Sequence, residues 1–362
     1  MKRIWIQRIG AAVLCAVLLT GCMPSGPAAD STASADPLTG QEQQYPGQRP
    51  AAVVIDNAPG STTQWGIGSA SVVLEAAARA DTAPSLCLVY PSVSAMPTVG
   101  PVTLGQDLFW RLLSGQQVLP IQRGCDLYTR NFLDYWNLRA VDALETGRNA
   151  FTTGNTDWAS PLWCTNGQSV AKVLGSLSLS SALSEDPAES ADSTQEGDTP
   201  AVPTVPALLP QQTDGHLPDA DVADAVQAAV QFPSGSTTRF AYDTDTGTYG
   251  MLHNDGSPQL DANTGIQAAF DNLLVLYSAS TPRDDGRTLD YDLTMGGGLW
   301  LNGGHLWHIT WTQGTGSTFA FYDADGRPLR ILSGRSYIAW LSSLTGEEVT
   351  VQDSAGNDLL QP

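Results

Sequence analysis

Three polar side chains in the first hundred residues are the ones whose types could do chemistry together. Asp56 and Asn57 follow the apolar run Ala51-Ala52-Val53-Val54-Ile55, and Glu75 sits inside the apolar run from Ser71 to Ala78. Polar residues at the C-terminal end of a buried strand lie where open α/β sheets place ligands. A carboxylate within an apolar run must find a partner if it is buried. Asp56 and Glu75 as an acid–base pair would suit a hydrolase acting on cell-wall material. The structural alternative has Asp56-Asn57 closing a turn and Glu75 exposed at a strand edge.

Other constellations are weaker. His305 and His308 are three apart in a period-two segment, so they point to opposite faces of a strand and cannot share an ion. The same alternation puts Trp307, Ile309 and Trp311 on one face, either a sugar-binding platform or a core face. Asp243-x-Asp245, Asp261-x-Asn263-x-Gly265 and Asp323-x-Asp325-Gly326 resemble calcium-loop fragments, but none reaches the required Glu, and turns explain them better. Gly66-Ile67-Gly68 lacks the third glycine of a dinucleotide fingerprint, and no P-loop or Gly-x-Ser-x-Gly occurs. No cofactor and no metal is expected.

The N-terminus points to a compartment. Lys2, Arg3 and Arg8 precede the short apolar stretch Ile9 to Leu19, and Leu19-Thr20-Gly21-Cys22 has the form of a bacterial lipobox. Acylation would fall on Cys22, each buried methylene adding about 0.8 kcal/mol to membrane affinity. The expectation is a lipid anchor on the extracytoplasmic face of the cell membrane. The chain carries −20 formal charge; residues 1–21 hold three positive charges and no acid, so the remainder carries −23. Such a field repels phosphate backbones and argues against a nucleic-acid partner. Cys87, Cys125 and Cys164 remain beyond the anchor. Cys87 reads as a buried thiol, while Cys125 and Cys164 lie in loops ahead of helical patterns. A Cys125–Cys164 bridge would close about 40 residues, stabilising by at most about 4 kcal/mol. Three free thiols are the alternative.

Those residues need elements to hold them. Apolar runs at 51–55, 71–78 and 86–90 read as buried strands. Helical spacing follows at Leu104, Leu108, Phe109, Leu112 and Leu113, again over Asp126 to Leu138, and again after Thr165 or Asn166 with Val170, Val173, Leu174 and Leu177 inward. Residues 147–161 read as loop. Beyond about Ser180 the chain turns acidic and Pro-rich, and past Pro218 it becomes period-two, with strands at 225–232, 238–243, 273–277, 299–301, 305–311, 317–322 and 336–341. The expected organisation is signal and lipidated cysteine 1–22, flexible tether 23–44, α/β domain 45–179, disordered linker or surface excursion 180–218, β-rich domain 219–345, and tail 346–362.

The order Pro37-Leu38-Thr39-Gly40, Arg49-Pro50-Ala51-Ala52-Val53-Val54-Ile55-Asp56-Asn57, Val72-Val73-Leu74-Glu75, Gly100-Pro101-Val102 resembles the YerB-like lipoproteins, a bacterial family of unknown function. Phe240-Ala241-Tyr242-Asp243, Asn272 to Val275, Phe321 to Gly326 and Ser333-Gly334-Arg335-Ser336-Tyr337-Ile338 extend the resemblance to about residue 342. It implies an α+β protein: a three-layer β-β-α sandwich first domain and a second, mostly antiparallel β domain, with no known activity. Where the family continues Gly-Pro-Val with Arg-Ser-Ala-Arg, this chain has Thr103-Leu104-Gly105-Gln106. The family's His-Asn-Leu-Tyr-Thr appears as Pro161-Leu162-Trp163-Cys164-Thr165. Any anion-binding or acid–base work by that Arg and His set would be lost here. The expected role is non-catalytic binding or scaffolding, with an envelope protein or wall component as partner. The alternatives are a hydrolase using Asp56 and Glu75, and a carbohydrate-binding module using Trp307 and Trp311.

Overall fold

The three apolar runs of the opening stretch do form strands: β1 Ala51–Asp56, β2 Val72–Ala76 and β3 Ser85–Tyr90. They pair antiparallel in the spatial order β2-β3-β1, with Val53 opposite Leu88 and Glu75 opposite Leu86. Their side chains are buried nearly throughout. That is why they read as continuous apolar runs and not as an alternation: both faces of the sheet are covered.

The structure is a computed structural model that describes residues 34–58, 63–154, 162–184, 202–215, 217–314 and 318–360. Cys22 and the whole signal segment lie outside the described residues. The same sheet continues through β4 Leu119–Gln122 and β5 Val141–Asp142. It is extended by β6 Val222–Ala223, β7 Asn272–Ser278, β8 Met295–Asn302, β9 His305–Gln313, β10 Phe319–Tyr322, β11 Pro328–Leu329 and β12 Ser336–Ser342. Its order is β11-β10-β9-β8-β7-β12-β2-β3-β1-β4-β5, with β6 against β9. The seam between the two halves of the sequence is the parallel pair β2–β12, where Glu75 lies opposite Ala339.

A second, antiparallel sheet is built from Gln227–Gln231, Thr237–Asp243, Thr248–Leu252, Ala269–Phe270 and Glu348–Gln352. One hydrophobic core joins it to the large sheet through Phe240, Met251 and Phe270 on one side and Val73, Val275 and Tyr337 on the other. The opposite face of the large sheet carries Leu74, Val54, Trp300, Trp340 and Ile338. It packs on helices α1 (Asp107–Leu112) and α2 (Leu127–Tyr135) through Phe109, Trp110 and Leu133. A short helix, α3 (Ala143–Thr146), follows β5. Asp126 caps α2 by accepting from the Thr129 amide at 2.7 Å, and Asn166 caps α4 (Gly167–Leu174) by accepting from Ser169 at 2.9 Å.

The protein is thus mostly β with both mixed and antiparallel sheets, an α+β chain. The segment boundaries shift in four places. Folding begins ahead of residue 45, since Leu38 is fully buried and the Asp36 carboxylate accepts from the Leu38 and Thr39 amides. The stretch 180–218 is only partly a linker: residues 185–201 and 216 lie outside the described residues, but Leu208 and Leu209 are buried and Gln211–Gln212 pairs with Ile331–Leu332. The tail at 346–362 supplies Glu348–Gln352, an edge strand against Gln227–Gln231. Finally, the segments 45–179 and 219–345 share one sheet, and Ser34–Pro362 is one compact unit. Strand β12, SYIAWLS, is buried along its whole length and needs a neighbour on each edge; β7 provides one and β2 the other.

Candidate functional site

Strand β2 carries Glu75 toward the core between the two sheets, on the side of Val73 and Ala77. The carboxylate is fully buried and takes three hydrogen bonds. Asn57 Nδ2 donates to Oε1 at 2.6 Å, Thr238 Oγ1 donates to Oε1 at 2.8 Å, and the Tyr337 hydroxyl donates to Oε2. The donors come from the end of β1, from the second sheet and from β12, so the carboxylate ties three elements at the seam. Burial pushes its pKa up to about 7, against the lowering effect of the bonds from Tyr337, Thr238 and Asn57. Burial also drives the Tyr337 hydroxyl well above its ordinary value, assisted by the Glu75 charge.

Asn57 is fixed in turn. Gln64 Nε2 donates to its Oδ1 at 3.0 Å and to the Asp56 carbonyl at 2.8 Å. Above Asn57 and Thr238 opens a cleft of about 380 Å³, lined also by Ser236, Met251, His253 and Gln259. Among the described residues, the amide nitrogen of the buried Gln259 has no hydrogen-bond partner, and neither has the amide oxygen of Gln64. Glu75 does not line the cleft; Asn57 and Thr238 stand between the carboxylate and the opening.

Of the residues singled out from the sequence, Asn57 and Glu75 come together and Asp56 does not join them. Val54 belongs to the helix-facing core and Ile55 to the inter-sheet core, so alternation points the Asp56 side chain away from the Glu75 side. The Asp56 carboxylate accepts from the Ala58 amide at 3.0 Å and closes a turn. Trp307 and Trp311 are 2% and 1% exposed, which removes the carbohydrate platform. Trp307 stacks on Trp300 at 4.2 Å, and the indole N–H groups of Trp307 and Trp311 donate to the backbone carbonyls of Asp219 and Gly297. His305 bonds the Gly303 carbonyl while His308 faces Asp221, two separate environments.

The Asp-rich fragments are turns. Asp243 and Asp323 each accept amides two residues on. Asp261 does more: fully buried, it also accepts from Gly66 and Gly68, fastening that glycine turn across the chain. Gly66 is required there, since φ is +91° and a Cβ would meet the Tyr90 hydroxyl at 2.5 Å. Cys87, Cys125 and Cys164 are all free, so the Cys125–Cys164 bridge is not formed. Cys164 packs against Gly100, whereas Cys125 pairs with Gly105 in an isolated parallel bridge.

Sequence reasoning missed Thr238, Tyr337, Gln64 and Gln259. Tyr337 had a signal in the run Ser333 to Ile338, which also supplies Arg335. That guanidinium donates to the carbonyls of Ala70, Ala269 and Ile67 at 2.8–3.0 Å, stapling the two halves beside the site. The other three carried no signal.

A mixed sheet shared by two sequence segments and sealed at its seam by a buried carboxylate defines a class of protein by fold. Residues 38–179 match the N-terminal domain, and residues 228–338 the C-terminal domain, of the family described as a protein of unknown function (DUF3048). The chain belongs to that family and is YerB-like. It is 26% identical over 321 residues to the Bacillus subtilis (strain 168) protein named "Putative lipoprotein YerB", covering 87% of this chain and 88% of that one. The fold matches the crystal structure of the YerB protein from Bacillus subtilis with a TM-score of 0.71 at 21% identity, over 87% of this chain and 99% of that one.

Proposed function

We propose that the protein is held on the extracytoplasmic face of the cell membrane by acylation at Cys22, and that it binds an envelope protein or wall component without transforming it. The lipobox supports the anchor, as does the printed name of the Bacillus relative. Within the folded part we read three layers, the second sheet, the large sheet and the helices, with the cleft at the edge of the first two.

One observation carries the binding reading. The only seam carboxylate raised toward neutrality among the described residues is walled off from the cleft by Asn57 and Thr238. A general acid must reach the proton it transfers. Glu75 instead orders the two side chains that a ligand would touch.

The full chain and its Asn57→Ala variant, purified from native membranes, test this by mass spectrometry of co-purifying small molecules and peptides. A ligand retained by the parent and lost from the variant, with circular dichroism unchanged, supports the reading. Turnover of wall fragments by the parent and not by Glu75→Gln would replace it with the hydrolase. For the anchor, Cys22→Ser is expected to move the protein to the soluble fraction.

A further inference from the structure

Helix α2 covers the large sheet with one side and shows large apolar side chains on the other. Thr129 and Leu133 turn inward, and Leu133 joins the helix-side core. On the outer side Leu127, Asn131 and Tyr135 follow one another at four-residue spacing, so they share a stripe. Leu127, Tyr135 and the next residue, Trp136, are 66, 81 and 61% exposed. The Tyr135 and Trp136 rings meet edge to face at 5.3 Å. Leu104 and Leu144, also exposed, flank Gly124 ahead of the helix: a Cβ there would meet Leu144 at 2.7 Å and Leu104 at 3.6 Å. Exposed apolar side chains gathered on one face mark a docking surface, whereas single ones do not.

Three observations choose what docks. The first is charge. Residues 104–148 hold five arginines and five acids, a net charge of zero, while the chain beyond residue 21 carries −23. An anionic lipid surface therefore repels the other faces and tolerates this one. The second is where the chain enters. Leu38 is buried in the same core as Leu133, so the N-terminal segment joins the fold on the helix side. Ser34 lies twelve residues beyond Cys22, a reach of at most about 40 Å. The third is side-chain type. Tyr and Trp, each an apolar ring with a polar tip, favour the level of the lipid headgroups.

We propose that α2 lies along the bilayer that holds the anchor, with Leu127, Tyr135 and Trp136 at headgroup level and the exposed Arg130 toward the lipid phosphates. The proposal rests on the anchoring reading above and adds which face turns to the membrane. The tether keeps the bilayer at high effective concentration, so a contact too weak to hold a free protein is enough. The cleft beside Asn57, on the side of the second sheet, then opens away from the lipid.

Ser34–Pro362 is one compact unit, so a chain starting at residue 23 keeps it whole. A histidine tag in place of residues 1–22 holds that chain to vesicles of phosphatidylcholine, phosphatidylglycerol and a nickel-chelating lipid. Tryptophan emission is compared on vesicles with and without bromine on the upper acyl carbons. Quenching by the brominated lipid is expected in the parent. Trp136→Phe should remove most of it, since the other indoles do not share this position. The pair Leu127→Glu and Tyr135→Glu, both at exposed positions, should also remove it while circular dichroism stays unchanged. Equal emission from the parent on both vesicles overturns the proposal, which is the result if a second copy or another protein covers this face. So does quenching undiminished by Trp136→Phe or by the Glu pair. The tag holds the chain whether or not Cys22 is acylated, so failure of the docking and failure of the anchor, read from the Cys22→Ser fractionation, are separate results.

Discussion

The two faces of the large sheet meet different demands with the same strands. On the face toward the second sheet, β2 and β12 present Glu75 and Tyr337, and the core there is closed by hydrogen bonds among Asn57, Glu75, Thr238 and Tyr337. On the face toward the helices, the same strands present Leu74, Ile338 and Trp340, and the core is closed by packing: Trp340 lies 4.9 Å from Trp311 and its N–H bonds Ser278 Oγ. A one-residue step along β12, from Tyr337 to Ile338, moves from one regime to the other. The polar face is sensitive to protonation, the packed face to volume.

The largest effect should come from the packed face. Trp340→Ala empties the centre of the aromatic cluster and is expected to lower stability by about 4 kcal/mol, seen as a drop in the denaturant midpoint at every pH. A marked pH dependence of that loss would break the distinction between the faces.

The polar face should respond to pH. Glu75 titrates near 7 in the folded chain against an ordinary 4.5, so the folded state holds the proton more tightly. The stability this group contributes is fully present below pH 4.5 and is lost as pH rises through 7, a change of about 3 kcal/mol. Glu75→Gln is expected to remove that slope. Parallel profiles of the parent and this variant between pH 5 and 8 would show that the seam carboxylate is not the titrating group.

Thr238→Val takes away one of the three donors while keeping the shape. It should cost about 1 kcal/mol and be larger at pH 8, where the carboxylate is charged, than at pH 5. Equal costs at both pH values would place the hydroxyl's contribution in packing instead.

The smallest expected effect concerns chain connectivity. A single proteolytic cut within residues 185–201 should leave two fragments that co-elute and keep the parent's circular dichroism, because β2 and β12 are hydrogen-bonded neighbours. Fragments that separate without denaturant would contradict the shared sheet.

Local patterns settled a good deal. The runs at 51–55, 71–78 and 86–90 became β1, β2 and β3, and the period-two segments at 273–277, 305–311 and 336–341 became β7, β9 and β12. The cap at Asn166 was legible because an N-cap side chain bonds an amide within its own first turn. The turn at Asp325-Gly326 was legible because positive φ selects glycine. Trp307 and Trp311 were placed on one face correctly; whether that face was wet or dry was not in the strand itself.

What the tertiary structure alone decided has one physical reason: the partners are far apart in the chain. Glu75 meets Thr238 across 163 residues and Tyr337 across 262, and Asp261 meets Gly66 across 195. Nothing in the residues next to Glu75 says whether it will be an exposed edge carboxylate or a buried, half-neutral one. That depends on β12 arriving on the free edge of β2 and on the second sheet closing over it. The same docking turned Asp56 away, since one residue of register carries a side chain to the other face. Composition and period therefore determined which segments are strands and where they turn, because those depend on near neighbours. Which strands became adjacent, and so which carboxylate became the site, depended on contacts that only the folded chain makes.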